Sequence, residues 1–337
     1  MLPPRSVILY GGVLSKAICQ RINSEVAILH SRFNVYPKLA VIEVGCLKES
    51  TIFIDRKRSF AEQCGVELFH VNLPSDCSES SLIEVVQQFN TDPSVHGVML
   101  QLPLDSTQEI DVSKPLQKIA TNKDVEGLGF VNTAILSREN VLCPHCEGLH
   151  HRYAHIPCTA AACFAFIRHV NFQLEGSHCV VVGRGRLVGA PTADLLAGSC
   201  RATVTQCNEY SHNLKEEIRR ADLVVAAAGH PGLIKGDWIK PGALVLDCGY
   251  NVLPDPSNPS KLRSFGDVQF DEALTRAGWI TPVPGGVGPV SIAMLFRNTL
   301  NSARWAAGLQ DMLCGCSSAP SSDRDSPCPD QVEPSPQ

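Results

Sequence analysis

The chain has 337 residues, 44% of them hydrophobic and 19% charged, with a formal net charge of -5. That is enough apolar material for a full core and enough length for two domains, and the weak negative charge gives no electrostatic reason to expect nucleic acid or an anionic membrane as partner. No run approaches the roughly 18 apolar residues of a membrane span, and "MLPPRSVILYGG" has no signal-peptide pattern and little room for a transit peptide before a strand-like run at Val7, so a cytoplasmic location is expected ahead of a mitochondrial one.

In chain order, "KLAVIEVG" reads as a buried strand, "STIFIDRKRSFAEQCG" as a helix ending at Gly65, and "VELFHVNLP" as a strand. "SLIEVVQQFN" follows as a helix and "HGVMLQLPL" as a strand. A second series starts near residue 178 with the strand "HCVVVG", a glycine-rich turn and the helix "LVGAPTADLLAG". The strand "ATVTQC", the helix "NLKEEIRRA" and the strands "DLVVAAAG" and "ALVLDCG" complete it. These βα repeats with near-continuous apolar strands predict an α/β protein with parallel sheets covered on both faces. A last helix is expected over 290–313, before a tail at 314–337 too poor in apolar residues to fold.

Fifteen cysteines are scattered through apolar contexts such as "HCVVVG" and "VLDCG", which favours buried, reduced thiols over disulfides. "CPHCEGLHH" at 143–151 differs: Cys143 and Cys146 have the spacing of a zinc knuckle, with His145, His150 and His151 nearby. One such pair without a second is a weak signal, and no metal is expected there.

The glycine-rich turn "VVVGRGRLVGAP" carries the first specific chemistry. Gly183, Gly185 and Gly189 follow a strand and open a helix, the setting in which bare backbone and a helix N-terminus receive a pyrophosphate. Gly229 ends the strand "DLVVAAAG" beside it, and a nicotinamide dinucleotide is the implied cofactor. In the first series, "FIDRK" places Phe53 and Lys57 on one helix face, "QLPLD" puts Gln101 where a buried strand runs out, and "KDVEGLG" adds Glu126 in a glycine-containing loop. "TPVPGGVGPV" concentrates Pro284, Gly285, Gly286 and Gly288 into a stiff, bare segment, either a tight turn or a wall against which a flat ligand lies.

These segments, with "IPCT", "LVLDCGYN" and "FGDV", occur in the order found in the bifunctional methylenetetrahydrofolate dehydrogenase/cyclohydrolase family, which the chain resembles from about residue 7 to 308. The resemblance implies two domains around a cleft: a folate-binding catalytic domain at 1–157, completed by the C-terminal helix, and a Rossmann-like NAD(P)-binding domain at 158–289. It implies folate as substrate, Lys57 as the catalytic lysine with Gln101 assisting, and Phe53, Glu126 and the segment Pro284, Gly285, Gly286, Gly288 lining the folate site. It further implies oxidation of 5,10-methylenetetrahydrofolate to the methenyl cation, hydrolysis of that cation to 10-formyltetrahydrofolate, and a homodimer.

Departures from the family pattern leave alternatives open. Phe53 stands where the family has tyrosine, Glu126 where it has aspartate, Ala160 where it has proline and Gly185 where it has serine, and the stretch between Leu136 and Pro157 is longer than usual. An active dehydrogenase with an altered cyclohydrolase step therefore competes with a folate-binding or regulatory paralogue. A short-chain dehydrogenase is discounted, because there the aromatic-lysine pair follows the glycine-rich turn and here it precedes it. For the cofactor, Arg184 favours the 2′-phosphate of NADP, whereas Glu209, about twenty residues beyond Gly189, favours the free ribose of NAD. NAD is the expected choice.

Overall fold

Three strands make the first sheet and six the second, and every pairing within both is parallel. The computed structural model describes residues 6–142, 151, 154–255 and 258–309. Cys143, Cys146 and the tail at 314–337 lie outside the described residues.

In the first half, β1 (Val7–Ile8) leads into α1 (Gly11–Phe33), followed by β2 (Lys38–Val44), α2 (Lys48–Cys64), β3 (Glu67–Leu73), α3 (Glu79–Thr91) and β4 (Gly97–Leu100). The small sheet has the order β3-β2-β4, with β2 in its centre and nearly all of β2 and β4 buried, as their unbroken apolar runs require. Local chemistry sets the helix ends. Gly65 closes α2 with a left-handed φ of 77°, and the Ser78 side chain accepts from the N–H of Ser81 to start α3. Two short helices, α4 (Ser113–Lys118) and α5 (Phe130–Arg138), lead to α6 (Cys158–His169).

The second half runs β5 (His178–Val182), α7 (Gly189–Gly198), β6 (Thr203–Cys207), α8 (Leu214–Arg220), β7 (Leu223–Ala226), β8 (Leu244–Asp247), β9 (Asn251–Asp255), β10 (Asn258–Phe265), α9 (Phe270–Ala273), β11 (Trp279–Ile280) and α10 (Val287–Ala306). The large sheet has the order β1-β11-β8-β7-β5-β6, while β9 and β10 form a separate antiparallel ribbon. The chain crosses to the other side of β5 between β6 and β7. That switch point is where open α/β sheets receive ligands.

Three features differ from the sequence expectations. Residues 7 and 8 do not belong to the first sheet: β1 pairs with β11, so the segment preceding α1 completes the edge of the second sheet. The 23-residue α1 has no counterpart in the sequence reading; its buried stripe of Leu14, Cys19, Ile22, Val26 and Leu29 packs on α10. The last helix begins at Val287, inside the proline-glycine segment, rather than at 290, and ends at Ala306. It returns to the first half, lying against α1, α2 and α6, with the Phe60 and Phe296 rings stacked 5.1 Å apart. No helix among the described residues is long and apolar enough to cross a membrane.

Candidate active site

The buried stripe of α2 runs Ile54, Lys57, Phe60, Ala61, Cys64, so an ammonium group occupies a position that its spacing assigns to the core. Only 7% of Lys57 is exposed. Its Nζ donates to Gln101 Oε1 at 2.7 Å, and Gln101 Nε2 donates to the carbonyl of Leu102 at 2.8 Å. The second bond orients the amide so that its oxygen faces the lysine. Gln101 follows directly on β4, and its N–H bonds to Ile42 O, so the sheet itself fixes the height at which the amide stands.

Lys57 and Glu126 line one cleft of about 230 Å³ with Phe53, Cys158, Tyr250 and the segment Pro282–Pro289. Burial pulls the Lys57 pKa down, opposed first by the charge of Glu126. Burial pushes the Glu126 carboxyl up to about 7, with Lys57 lowering it and Asp124 raising it. The two groups are thus driven toward one another's proton. Asp124 behind them is fixed by the N–H groups of Gly127 and Gly129 and by Asn132 Nδ2, so it supports the loop that presents Glu126.

The proline-glycine segment is both a turn and a wall. A Cβ on Gly286 would lie 2.6 Å from Pro282 O, so Gly286 is bare because its own turn folds back on it, and one on Gly11 would lie 2.0 Å from Gly286 O, so Gly11 is bare because the start of α1 packs against that turn. Gly285 has a φ of 104°, which bars ordinary side chains. Gly288 is different: it has nothing within 4 Å of a would-be Cβ, and it faces the cleft. Packing does not require glycine there, and a flat ligand would use the space.

A second cradle lies at the switch point, on the loops after β5 and β7. A Cβ on Gly183 would meet Ala227 O at 2.0 Å and one on Gly189 would meet Gly183 O at 2.2 Å, whereas Gly185 and Gly229 have open space. Two glycines close the turn and two leave backbone exposed. Asp267 locks the far loop by accepting from the N–H groups of Ala228, Gly229 and His230. Asp247, pushed up to about 7 by burial, accepts from the N–H groups of Gly249, Asp267 and Val268 and ties this loop to the cleft. The cradle fits a dinucleotide pyrophosphate, and Val188 and Cys248, from the same half of the chain, line the Lys57 cleft. Arg184 and Glu209 are both exposed, the first on the loop after β5 and the second on the turn after β6. The Cys248 thiol lies 3.5 Å from that of Cys163, a contact that together with burial holds its pKa well above the ordinary range, so it is protonated.

Comparison with known proteins agrees with this geometry. Residues 9–126 match the tetrahydrofolate dehydrogenase/cyclohydrolase catalytic domain, and residues 157–307 match the NAD(P)-binding domain of the same enzymes. The chain belongs to the tetrahydrofolate dehydrogenase/cyclohydrolase family. It is 40% identical to bifunctional protein FolD 1 of Mesorhizobium japonicum over 306 residues, which covers 90% of this chain and 98% of that protein. It is also 40% identical over 298 residues, 88% of its length, to the cytoplasmic C-1-tetrahydrofolate synthase of Homo sapiens, and spans only 31% of that longer protein. Among solved structures, the Trypanosoma brucei methylenetetrahydrofolate dehydrogenase-cyclohydrolase, determined with NADP and an inhibitor, superimposes with a TM-score of 0.81 at 37% identity, covering 90% of this chain and 98% of that one.

Against this family background, the structure gathers Phe53, Lys57, Glu126, Pro284, Gly285, Gly286 and Gly288 around one cleft, with Gln101 behind the lysine. It places Gly183, Gly185, Gly189 and Gly229 in the adjoining cradle. Sequence reasoning missed Tyr250. It comes from the other domain, is 37% exposed, and meets the Phe53 ring edge-on at 5.0 Å. Its signal was present in "LVLDCGYN", but nothing in the spacing says that residue 250 faces residue 53.

Proposed function

We propose that the protein oxidises 5,10-methylenetetrahydrofolate with a nicotinamide cofactor and hydrolyses the methenyl product to 10-formyltetrahydrofolate. The observation that carries this reading is the buried Lys57–Gln101 hydrogen bond of 2.7 Å, set beside Glu126 in a cleft walled by bare backbone. Bound in the cradle, the cofactor would accept the hydride from the one-carbon bridge. The chain's own residues do the rest. Glu126 faces the pterin as a hydrogen-bonding carboxyl, and the backbone of Gly288 lets the planar ring lie close. Lys57, whose burial favours the neutral amine relative to an exposed lysine, takes a proton from the water that adds to the methenyl carbon, while Gln101 holds the amine in place. Purified protein mixed with methylenetetrahydrofolate and either cofactor should yield reduced cofactor and methenyl or formyl product together. Folate binding without cofactor reduction would favour the regulatory paralogue to which Phe53 and Glu126 point.

Phe53 alters the balance between the two steps. Its ring centre lies 5.8 Å from Lys57 Nζ and carries no hydroxyl to bond the amine. Hydrolysis needs an ordered proton path more than hydride transfer does, so methenyl product should accumulate. Restoring the phenol with Phe53→Tyr adds one hydrogen bond of about 1 kcal/mol, or roughly fivefold in rate. The expected result is that increase in hydrolysis with little change in hydride transfer. An unchanged ratio of the two activities would remove Phe53 from the proton path.

For the cofactor we propose NAD. Glu209 stands on the turn after β6, where a carboxylate accepts from a ribose hydroxyl and repels a 2′-phosphate by on the order of 1–4 kcal/mol. Arg184 opposes this by offering the phosphate a cation. Glu209→Ser is expected to shift the ratio of kcat/KM values toward NADP by at least about fivefold. A wild-type preference for NADP, unmoved by the substitution, would show that Glu209 turns away from the ribose. A homodimer through the cofactor domain is supported by the β9-β10 ribbon, which exposes Leu253 at 42% and Leu262 at 61%. A cytoplasmic location is supported by the likeness to the cytoplasmic synthase.

A further inference from the structure

We propose that Arg56 anchors the glutamyl carboxylates of folate at the mouth of the cleft, making it a specificity determinant for the tail of the substrate. This rests on the folate reading above and adds a subsite to it. Arg56 and Lys57 are neighbours on α2, and both present a cation to the Phe53 ring, each 5.8 Å from its centre. The helix turns them apart. Lys57 is buried against Gln101, while Arg56 is exposed and lines the outer part of the same cleft. Among the described residues Arg56 has no hydrogen bond or ion pair, although its neighbour Arg58 is paired with Asp55 at 2.7 Å. The acid beside Arg56 in sequence is therefore already engaged, and the guanidinium is held only by its place over an aromatic face.

The chemistry of the substrate matches this layout from floor to mouth. Folate has an uncharged planar pterin, a benzoyl ring and a glutamate with two carboxylates at neutral pH. The one-carbon bridge between pterin and benzoyl ring has to reach Lys57, so the pterin occupies the deep end beside Glu126. The benzoyl ring then passes the edge-to-face pair of Phe53 and Tyr250, and the anionic tail leaves over the rim. A guanidinium is weakly hydrated and presents paired donors to a carboxylate, which suits it to this exposed position. Its seat on the Phe53 ring limits the freedom lost on binding.

The test compares two substrates, methylenetetrahydrofolate and methylenetetrahydropteroate, which lacks the glutamate. Arg56→Ala is expected to raise KM for the first about tenfold, with kcat within about twofold, and to leave KM for the second unchanged. Arg56→Lys should recover part of the loss, and added salt should narrow the gap between wild type and Arg56→Ala. An equal rise for both substrates, or no rise for either, overturns the proposal. Wild-type turnover in the same assay tests the activity separately. If the wild type does not turn over, calorimetric binding of 5-formyltetrahydrofolate against 5-formyltetrahydropteroate gives the same comparison: loss of affinity in Arg56→Ala for the glutamate-bearing ligand alone supports the subsite, and any other pattern sinks it.

Discussion

Lys57→Met should fold with reduced stability and lose methenyl hydrolysis by about 10²–10⁴-fold, with hydride transfer reduced as well because the folate is no longer held by the amine. Methionine keeps the unbranched stem, and the site it enters lies in the apolar stripe with Ile54, Phe60 and Ala61. The substitution leaves Gln101 Oε1 without its donor and the buried Glu126 without its opposite charge, which costs stability, so circular dichroism of the variant is compared with wild type before lost activity is assigned to the amine. A second readout follows from the coupling to Glu126. Burial raises that carboxyl to about 7 and the Lys57 charge holds it down, so deleting the ammonium moves it further up. A carboxyl raised in the folded state binds more protons there than in the unfolded chain. Its contribution to stability is therefore complete below the unfolded value near 4.5 and shrinks as pH rises through about 7. In Lys57→Met that window should extend to higher pH. Monitoring thermal unfolding from pH 5 to 9 checks this apart from any assay of turnover. Normal hydrolysis by the variant would end the assignment of Lys57.

Much of the site was legible because it rests on local rules. A glycine that closes α2 and a strand that ends at Gln101 are local signals, and so are glycines between β5 and α7. The rest depended on which distant segments meet. Val7 and Ile8 looked like a strand, but only the closed fold shows that they pair with Trp279 and Ile280 in the second sheet. Helix α1 carried its heptad-like stripe openly; without a side-chain N-cap at Tyr10, and with two glycines at its start, it lacked the usual opening signal. Tyr250 and Asp267 do their work across gaps in sequence, one against Phe53 and the other under the loop 228–230. Arg56 stood in plain view inside "FIDRK". Its meaning depends on lining the cleft and having no hydrogen bond or ion pair among the described residues, which spacing alone does not disclose.

The glycines of the cofactor cradle should separate into two kinds under substitution. Gly183 has a φ of 118°, and its Cβ would fall 2.0 Å from Ala227 O and 3.0 Å from Ala228 N. Neither neighbour has room to retreat. The N–H of Gly183 is bonded to Cys207 O at 2.8 Å and that of Ala227 to Val182 O at 2.7 Å, so both backbones are held by the central strands. Gly183→Ala therefore combines backbone strain with overlap, about 2–5 kcal/mol in all. A fall in Tm of about 5–15 °C is expected. The loop can relieve the strain only by moving the N–H groups that would face the pyrophosphate, so cofactor affinity should fall at least about a hundredfold. Gly185, two residues on, has nothing within 4 Å of its would-be Cβ. Gly185→Ser should leave Tm unchanged and alter the cofactor KM by less than about threefold. Methenyl hydrolysis provides the control, since Lys57, Gln101 and Glu126 belong to the other domain and should keep working in any Gly183→Ala protein that remains folded. Equal effects of the two substitutions on cofactor binding would mean that the cradle is not where the dinucleotide lies.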